Sequence, residues 1–183
     1  MAKTKILFFA SNPGSTEKLS LDEEARSISR KIRETDYRDS LEFITSLASR
    51  PTDLLDELNI NKPTIVHFIG HGSGEEGLIL SDDQGGQKYV SGDTLKSLFS
   101  VVNDHIRLVI LNACYSEVQA KAIVEVIDCV VGMKSDIGDQ AAITFSEYFY
   151  SALGYGRSVK DAFEQGKVAL MLENIPEDDI PVL

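Results

Sequence analysis

Two segments of the sequence are almost entirely apolar and rich in β-branched residues. Residues 64–70 read TIVHFIG and residues 107–112 read RLVILN. Central strands of a parallel sheet have this composition, because helices cover the sheet on both faces and leave no side open to solvent. The sequence therefore predicts two neighbouring central strands of a parallel sheet that helices enclose on both sides.

Shorter periodic segments surround these two strands. In residues 21–33, apolar residues recur at helical spacing and predict an amphipathic helix. Further strands are predicted at residues 5–10, 40–45 and 129–132, a hairpin at 77–80 and 88–90, and helices at 53–58, 91–99, 117–126, 139–153 (capped by Asp139) and 157–172. Strands that alternate with helices predict an α/β fold with a mostly parallel sheet and helices on both faces.

The length and composition limit the partners that the chain can have. A chain of 183 residues that is 43% hydrophobic suits one domain across residues 1–183. Its formal net charge of −11 argues against nucleic acid, which attracts clustered Lys and Arg. No apolar run approaches the roughly 20 residues of a membrane helix. We expect a cytoplasmic protein, with an acidic, proline-bearing segment after about residue 175 that begins a linker to a larger protein.

Two reactive side chains follow the predicted central strands closely. His71 comes directly after residues 64–70, and Cys114 comes just after residues 107–112. Reacting groups collect at the carboxyl edge of a parallel sheet, where neighbouring strands lie about 5 Å apart. An imidazole and a thiol at these positions can exchange a proton, and a helix that starts at Cys114 would favour its thiolate.

The same segments contain backbone groups suited to acyl transfer. Glycines on both sides of His71 allow a peptide backbone to approach closely. The N–H groups of Gly72 and Cys114 are expected to hold the oxyanion of a tetrahedral intermediate. His71, Cys114 and this oxyanion site are together sufficient for a cysteine hydrolase, so no third catalytic residue is assigned, and Asn112 is the nearest candidate for one.

Four motifs that span most of the chain resemble those of one family. They are residues 66–72 (VHFIGHG), residues 111–116 (LNACYS), residues 131–133 (VGM) and a block with Asp139, Phe145, Phe149 and Tyr150. These motifs are similar to those of the CHAT family of caspase-like cysteine peptidases. The Asn-Ala pair before Cys114 departs from the Gln-Ala pair of animal caspases, and Cys114 follows His71 by 43 residues, against about 50 in caspases.

The resemblance implies a fold, an activity and a cellular context. The fold would be a caspase-like three-layer α/β sandwich, and His71 and Cys114 would be the catalytic pair of an endopeptidase with no cofactor or metal. CHAT domains are commonly parts of larger signalling or defence proteins that a partner or sensor activates. The resemblance therefore implies a protein or peptide substrate and an activating partner or fused domain.

The shared topology implies two segments around the substrate side chain that precedes the cleaved bond. They are residues 11–16, with Asn12, and residues 134–139, with Asp136 and Asp139. Caspases use arginines to accept aspartate in this pocket, and residues 11–16 contain none. Asp136 or Asp139 would instead favour a basic side chain by charge pairing, although Asp139 could serve only as a helix cap.

Other interpretations of these residues stay open. The domain could be a catalytically silent CHAT interaction module, or a flavodoxin-like binder of a small ligand that uses the hydroxyl-rich residues 11–16. Cys129 and His67 lie within strands and are interpreted as core residues, His67 with a hydrogen-bond partner, and His105 as a surface residue. His67 and His71 would lie about 13 Å apart in an extended strand, too far to share one metal ion.

Overall fold

Strands and helices alternate along the chain in the computed structural model, which describes residues 3–14, 16, 19–47 and 50–183. The strands are β1 (Thr4–Ala10), β2 (Leu41–Ser46), β3 (Ile65–Ile69), β4 (His71–Gly72), β5 (Leu78–Ser81), β6 (Gln87–Val90), β7 (Leu108–Asn112), β8 (Cys129–Met133) and β9 (Pro181–Val182). The helices are α1 (Leu21–Arg33), α2 (Pro51–Asn61), α3 (Gly92–Val102), α4 (Glu117–Ile123), α5 (Asp139–Gly154) and α6 (Val159–Leu172), with short 3₁₀ turns at Arg38–Ser40 and Gly74–Glu76. The predicted strands and helices are all present, with small shifts at their ends. Among the described residues, no helix has both the length and the apolar character needed to cross a membrane.

The central sheet has six strands in the order β2-β1-β3-β7-β8-β9. The strands from β2 to β8 are parallel, and β9 runs antiparallel to β8 at one edge. The two strands predicted to be central neighbours, β3 and β7, do pair, with Ile69 opposite Asn112. Strands β4, β5 and β6 form a separate small antiparallel sheet, which contains the predicted hairpin.

The side chains of β1 show how the central sheet is covered on both faces. Ile6 and Phe8 pack in one core with residues of α1, α5 and α6, whereas Leu7 and Phe9 pack in a second core with residues of α2, α3 and α4. All four side chains are fully buried. Helices thus lie on each side of the sheet, which confirms the predicted three-layer α/β sandwich with a mostly parallel sheet.

Residues near the end of the chain pack onto the sheet. The carbonyl of the buried residue Ile180 accepts a hydrogen bond from the Lys134 N–H (3.1 Å), and Pro181 lies opposite Met133. Glu177 Oε2 accepts a hydrogen bond from the Gly138 N–H (2.7 Å). These residues are held against β8 and the segment that follows it.

Candidate active site

The carboxyl ends of β3 and β7 bring the two reactive side chains to one cleft. Ile69 pairs with Asn112, and His71 and Cys114 each lie two residues beyond this pair. The Gly70 N–H donates to Asn112 O at 3.4 Å, which keeps the two segments together past the ends of the strands. His71 and Cys114 both line a narrow cleft of about 40 Å³ at this edge of the sheet.

Gly72 lies directly against the backbone of Cys114. A Cβ atom at position 72 would be 2.1 Å from Cys114 O. No side chain can occupy that space unless the two segments move apart, so this position needs glycine. The structure thus brings together the backbones of the two residues whose N–H groups are expected to hold an oxyanion.

The thiol of Cys114 has surroundings that disfavour its ionised form. Burial raises the pKa of Cys114 above its ordinary value, and the nearby Asp136 carboxylate also raises it. Helix α4 begins only at Glu117, after the turn that follows Cys114, and is seven residues long. The expectation that a helix starts at Cys114 is therefore wrong, and burial together with Asp136 favours the protonated form of its thiol.

The residue after Cys114 forms a sharp turn. Tyr115 has a φ of 56°, in the left-handed region that non-glycine residues seldom adopt. Its N–H donates to Ser135 O (3.2 Å), and its hydroxyl donates to Asp136 Oδ2 (3.0 Å). These two hydrogen bonds hold the turn against the segment after β8, and they thereby fix the backbone that carries Cys114.

Asn12 contacts the imidazole of His71. Its Oδ1 lies 3.3 Å from His71 Nε2 and also accepts a hydrogen bond from Thr16 Oγ1 (3.2 Å). When Nε2 carries the proton, it donates to Asn12, and the imidazole lone pair is then on Nδ1. Asn12, which is predicted to lie in the substrate pocket, is thus placed to orient His71. Ser15 of the same predicted loop lies outside the described residues.

The two aspartates predicted for the substrate pocket have different surroundings. Asp139 lines the cleft, and its Oδ2 accepts a hydrogen bond from the Ser20 N–H (3.3 Å). The N-cap residue of α5 is Gly138, so the predicted cap at Asp139 is wrong, and Asp139 lies in the first turn of the helix. Both residues are exposed, and Asp136 accepts a hydrogen bond from the Tyr115 hydroxyl. Of the two, only Asp139 lines the cleft.

A buried polar network lies beneath the cleft and consists of Glu24, His67, Asn112, Ser146 and Tyr150. Asn112 Nδ2 and Ser146 Oγ both donate to Glu24 Oε1, at 2.7 Å and 2.8 Å. His67 Nε2 lies 3.0 Å from the same oxygen, and His67 Nδ1 lies 3.1 Å from the Tyr150 hydroxyl. Asn112 is the nearest candidate for a third catalytic residue, but its side-chain amide donates to Glu24. The asparagine that contacts His71 is Asn12.

Like Ser146, Glu24 is a residue of this site that the sequence does not predict. It lies on the apolar stripe of α1, between Leu21 and Ile28, and is 1% exposed. A carboxylate on such a stripe is a recognisable signal, because a buried charge is costly unless polar groups compensate for it. The interpretation of His67 as a buried, hydrogen-bonded histidine is confirmed.

Cys129 and His105 lie away from the residues described for the cleft. Cys129 is the first residue of β8 and is half-buried against one of the two cores, as expected for a packing residue. His105 is exposed, which confirms the interpretation of a surface histidine. Cys114 is thus the cysteine placed at the proposed reaction centre.

Two solved structures share this fold. One is a secreted C11 cysteine protease from Bacteroides thetaiotaomicron in complex with an irreversible peptide inhibitor, with a TM-score of 0.67 and 14% identity over 93% of this chain and 60% of that chain. The other is the Drosophila initiator caspase Dronc, with a TM-score of 0.55 and 9% identity over 91% of this chain and 72% of that chain. The fold is therefore that of the caspase-like cysteine proteases.

The family model named CHAT domain matches residues 7–180, so the chain belongs to the CHAT family, as its motifs predict. A Roc-COR-CHAT protease from an unknown prokaryotic organism is 26% identical over 95% of this chain and 17% of its own length. A probable protease from Gillisia limnaea is 26% identical over 98% of this chain and 33% of its own length. A Roc-COR-CHAT protease from Runella zeae is 28% identical over 83% of this chain and 16% of its own length. The chain thus spans a third or less of the length of these curated relatives.

Proposed function

We propose that this chain is a cysteine endopeptidase domain in which His71 is the general base and Cys114 is the nucleophile. One observation carries the proposal: His71 and Cys114 follow neighbouring strand ends and line the same cleft. The close approach of Gly72 to Cys114 supports it, because an oxyanion site needs backbone groups beside the nucleophile. The names of the relatives, which are called proteases, support the same class of activity.

The reaction would proceed through a thioester. His71 takes the thiol proton as the sulfur of Cys114 bonds to the carbonyl carbon of the scissile peptide, and the N–H groups of Gly72 and Cys114 hold the oxyanion. The C–N bond then breaks, and His71 returns the proton to the departing amine. A water molecule attacks the thioester while His71 takes its proton, and the thiol leaves with that proton as the acid product forms.

The raised pKa of Cys114 affects when its proton moves. Because burial and Asp136 raise the pKa of Cys114, the domain does not start from a stable thiolate and imidazolium pair. The proton has to reach His71 during the attack, so the orientation of the imidazole by Asn12 matters for the rate. Asn12 is accordingly a positioning residue in this mechanism.

The cellular context is part of the proposal. The relatives are longer than this chain, and two of them are called Roc-COR-CHAT proteases, so we propose that the domain works in the cytoplasm, beside fused domains or an activating sensor partner. The cleft is narrow, at about 40 Å³. A partner that widens this cleft and moves Asp136 away from Cys114 would raise the peptidase activity. The biological role of the domain would then be in signalling or defence.

The test compares the domain with two cysteine variants. Wild type, Cys114→Ala and the matched control Cys129→Ala are incubated with a mixed proteome, and new peptide termini are identified by mass spectrometry. A thiol-reactive peptide inhibitor is added in parallel, because labelling requires only the nucleophile and its base. We expect new termini and labelling in wild type and Cys129→Ala, and neither in Cys114→Ala.

The alternative functions give different results in the same experiment. A catalytically silent CHAT interaction module would give no new termini, and its Cys114 would react with the inhibitor no faster than Cys129. A flavodoxin-like binder would purify with a ligand whose retention does not depend on Cys114. Either result would replace the proposed endopeptidase.

A further inference from the structure

Two buried oxygen atoms at the cleft have no hydrogen-bond donor in the described part of the chain. They are Glu24 Oε2 and Asn112 Oδ1. The residues are 1% and 3% exposed, and both line the cleft beside Cys114. Buried polar groups in folded proteins are almost always paired, so two unpaired acceptors in one cleft indicate that it receives a ligand with hydrogen-bond donors.

The network beneath the cleft explains why these two acceptors are unpaired. The side-chain donors of Asn112 and Ser146 converge on Glu24 Oε1, at 2.7 Å and 2.8 Å, and leave Oε2 to another partner. Asn112 Nδ2 also lies 3.3 Å from Ser146 Oγ, so two contacts fix the orientation of the amide. Its oxygen therefore cannot turn towards the network without breaking both contacts.

The charges at the cleft favour a cationic ligand. Glu24 and Asp139 contribute carboxylates, and none of the described residues that line the cleft is Lys or Arg. On its far side Glu24 faces His67, which in turn contacts Tyr150. An acidic side chain would be repelled by the carboxylates, whereas a cation with several N–H groups would pair with Glu24 Oε2 and Asn112 Oδ1.

The shape of the cleft limits the ligand further. Its volume of about 40 Å³ fits only a few water-sized groups, since one water needs roughly 10–15 Å³ of such space. Ile69, Ala142 and Ile143 supply apolar wall. A thin, unbranched aliphatic chain with a charged end matches these walls and the two acceptors, as long basic side chains bury their stems along apolar surface.

We propose that this cleft is the specificity pocket for the substrate residue before the cleaved bond, and that Glu24, with Asn112, selects lysine or arginine there. The inference rests on the proposed function, because it assigns the pocket to the carbonyl that Cys114 attacks. The main determinant of substrate specificity is then Glu24 on α1, and not Asp136 or Asp139 as the sequence predicts. Asp139, at the wall of the cleft, is an auxiliary carboxylate in this arrangement.

The first experiment measures recognition without chemistry. The Cys114→Ala protein is titrated with the N-methylamides of N-acetyl-lysine, N-acetyl-arginine and N-acetyl-norleucine, and binding is followed by NMR at backbone amides of the cleft. We expect one or both cationic probes to bind about ten- to a hundredfold more tightly than the norleucine probe, since hydrogen bonds to charged groups are the strong ones. Equal affinities for all three probes would overturn the inference.

The second experiment measures cleavage by the protein with its cysteine intact. Peptides that differ only in lysine, arginine, norleucine or aspartate before the cut are compared by kcat/KM. Preference for lysine or arginine supports the inference, and preference for norleucine or aspartate overturns it while the peptidase proposal stands. Selective cation binding without cleavage of any peptide would reject the peptidase proposal and retain the cation site.

Variants of two neighbouring glutamates test whether Glu24 determines the selectivity. Glu24→Gln keeps the size of the side chain but removes its charge, and the ratio of lysine or arginine to norleucine should fall by about tenfold or more in binding and cleavage. Glu23→Gln is the matched control, because Glu23 is the exposed neighbour in the same helix. In this variant the ratio of lysine or arginine to norleucine should not change. An unchanged ratio in a folded Glu24→Gln protein would overturn the assignment, and if that variant does not fold, the wild-type probe comparison still decides the inference.

Discussion

Asp136 connects the two residues at the turn of the proposed nucleophile. Its carboxylate accepts the Tyr115 hydroxyl at 3.0 Å, and its charge is among the causes that raise the pKa of Cys114. The same aspartate therefore holds the turn in place and opposes the thiolate. In the proposed mechanism Asp136 therefore lowers the reactivity of Cys114 in the resting domain. The sequence, in contrast, predicts Asp136 to line the substrate pocket.

Removal of the Asp136 charge should make Cys114 more reactive at neutral pH. In the Asp136→Asn variant the carboxylate no longer repels the thiolate, so the pKa of Cys114 should fall towards its ordinary value, while burial keeps part of the shift. The rate of alkylation by iodoacetamide, measured from pH 6 to 10 in a Cys129→Ala background, should follow the thiolate fraction. Its midpoint should move to lower pH, and alkylation near neutrality should become several-fold faster.

A matched aspartate tests whether this effect is local. Asp83 lies in a different exposed turn and pairs with Arg50, so Asp83→Asn should leave the alkylation profile of Cys114 unchanged. A profile in Asp136→Asn that stays in place or moves to higher pH would show that the carboxylate does not control the thiol.

At the scale of helices and strands, the sequence predicts the framework well. The bounds of α1 agree with the periodicity of residues 21–33, and the apolar runs of β3 and β7 become the adjacent strands that carry His71 and Cys114. These elements have local patterns long enough to recognise. Strands β4 and β9 have two residues each and show no periodicity, so the sequence does not reveal them.

The side-chain partners of the site are harder to predict, because they come from distant parts of the chain. Ser146 Oγ and Glu24 Oε1 are hydrogen-bonded although 122 residues separate them, and Asn12 and His71 are 59 residues apart. The sequence places Asn12 near the site but in the substrate pocket. The contact between Glu24 and Ser146 depends on the packing of α1 and α5 on the same face of the sheet, and this packing has no local signature.

Ser116 links the ends of β7 and β8 beside the proposed nucleophile. Its hydroxyl donates to Leu111 O (2.8 Å) and accepts from the Met133 N–H (3.0 Å), and the residue is fully buried. In Ser116→Ala both backbone groups lose this partner without access to water. We expect the free energy of unfolding to fall by about 1–3 kcal/mol, as measured by urea denaturation.

An exposed serine provides the comparison for this loss. Ser100 donates to Ser97 O at 2.8 Å on the surface of α3, where water can replace the hydroxyl. Ser100→Ala should therefore change the free energy of unfolding by less than about 0.5 kcal/mol. Equal effects of the two substitutions would mean that the Ser116 hydroxyl does not support the strand ends.

At the scale of the whole molecule, the acidic excess acts against the compact state. The formal net charge is −11 at pH 7, from 29 acidic and 18 basic residues. Self-repulsion of this kind is screened by salt. Salt also weakens ion pairs such as Arg107–Asp128, whose side chains are 69% and 60% exposed, but exposed pairs contribute only about 0–1 kcal/mol each.

The balance of these two effects predicts that salt stabilises the domain. Between about 10 mM and 200 mM NaCl the Debye length falls from roughly 30 Å to below 10 Å, so repulsion between distant carboxylates is lost, while ion pairs in direct contact are weakened less. We expect a gain on the order of 1 kcal/mol, which at this chain length raises Tm by about 2–4 °C in differential scanning calorimetry. KCl should give the same shift as NaCl, because screening does not depend on the identity of the cation. A Tm that falls with added salt would mean that attractive ion pairs, and not the excess of carboxylates, dominate the electrostatics of the folded state.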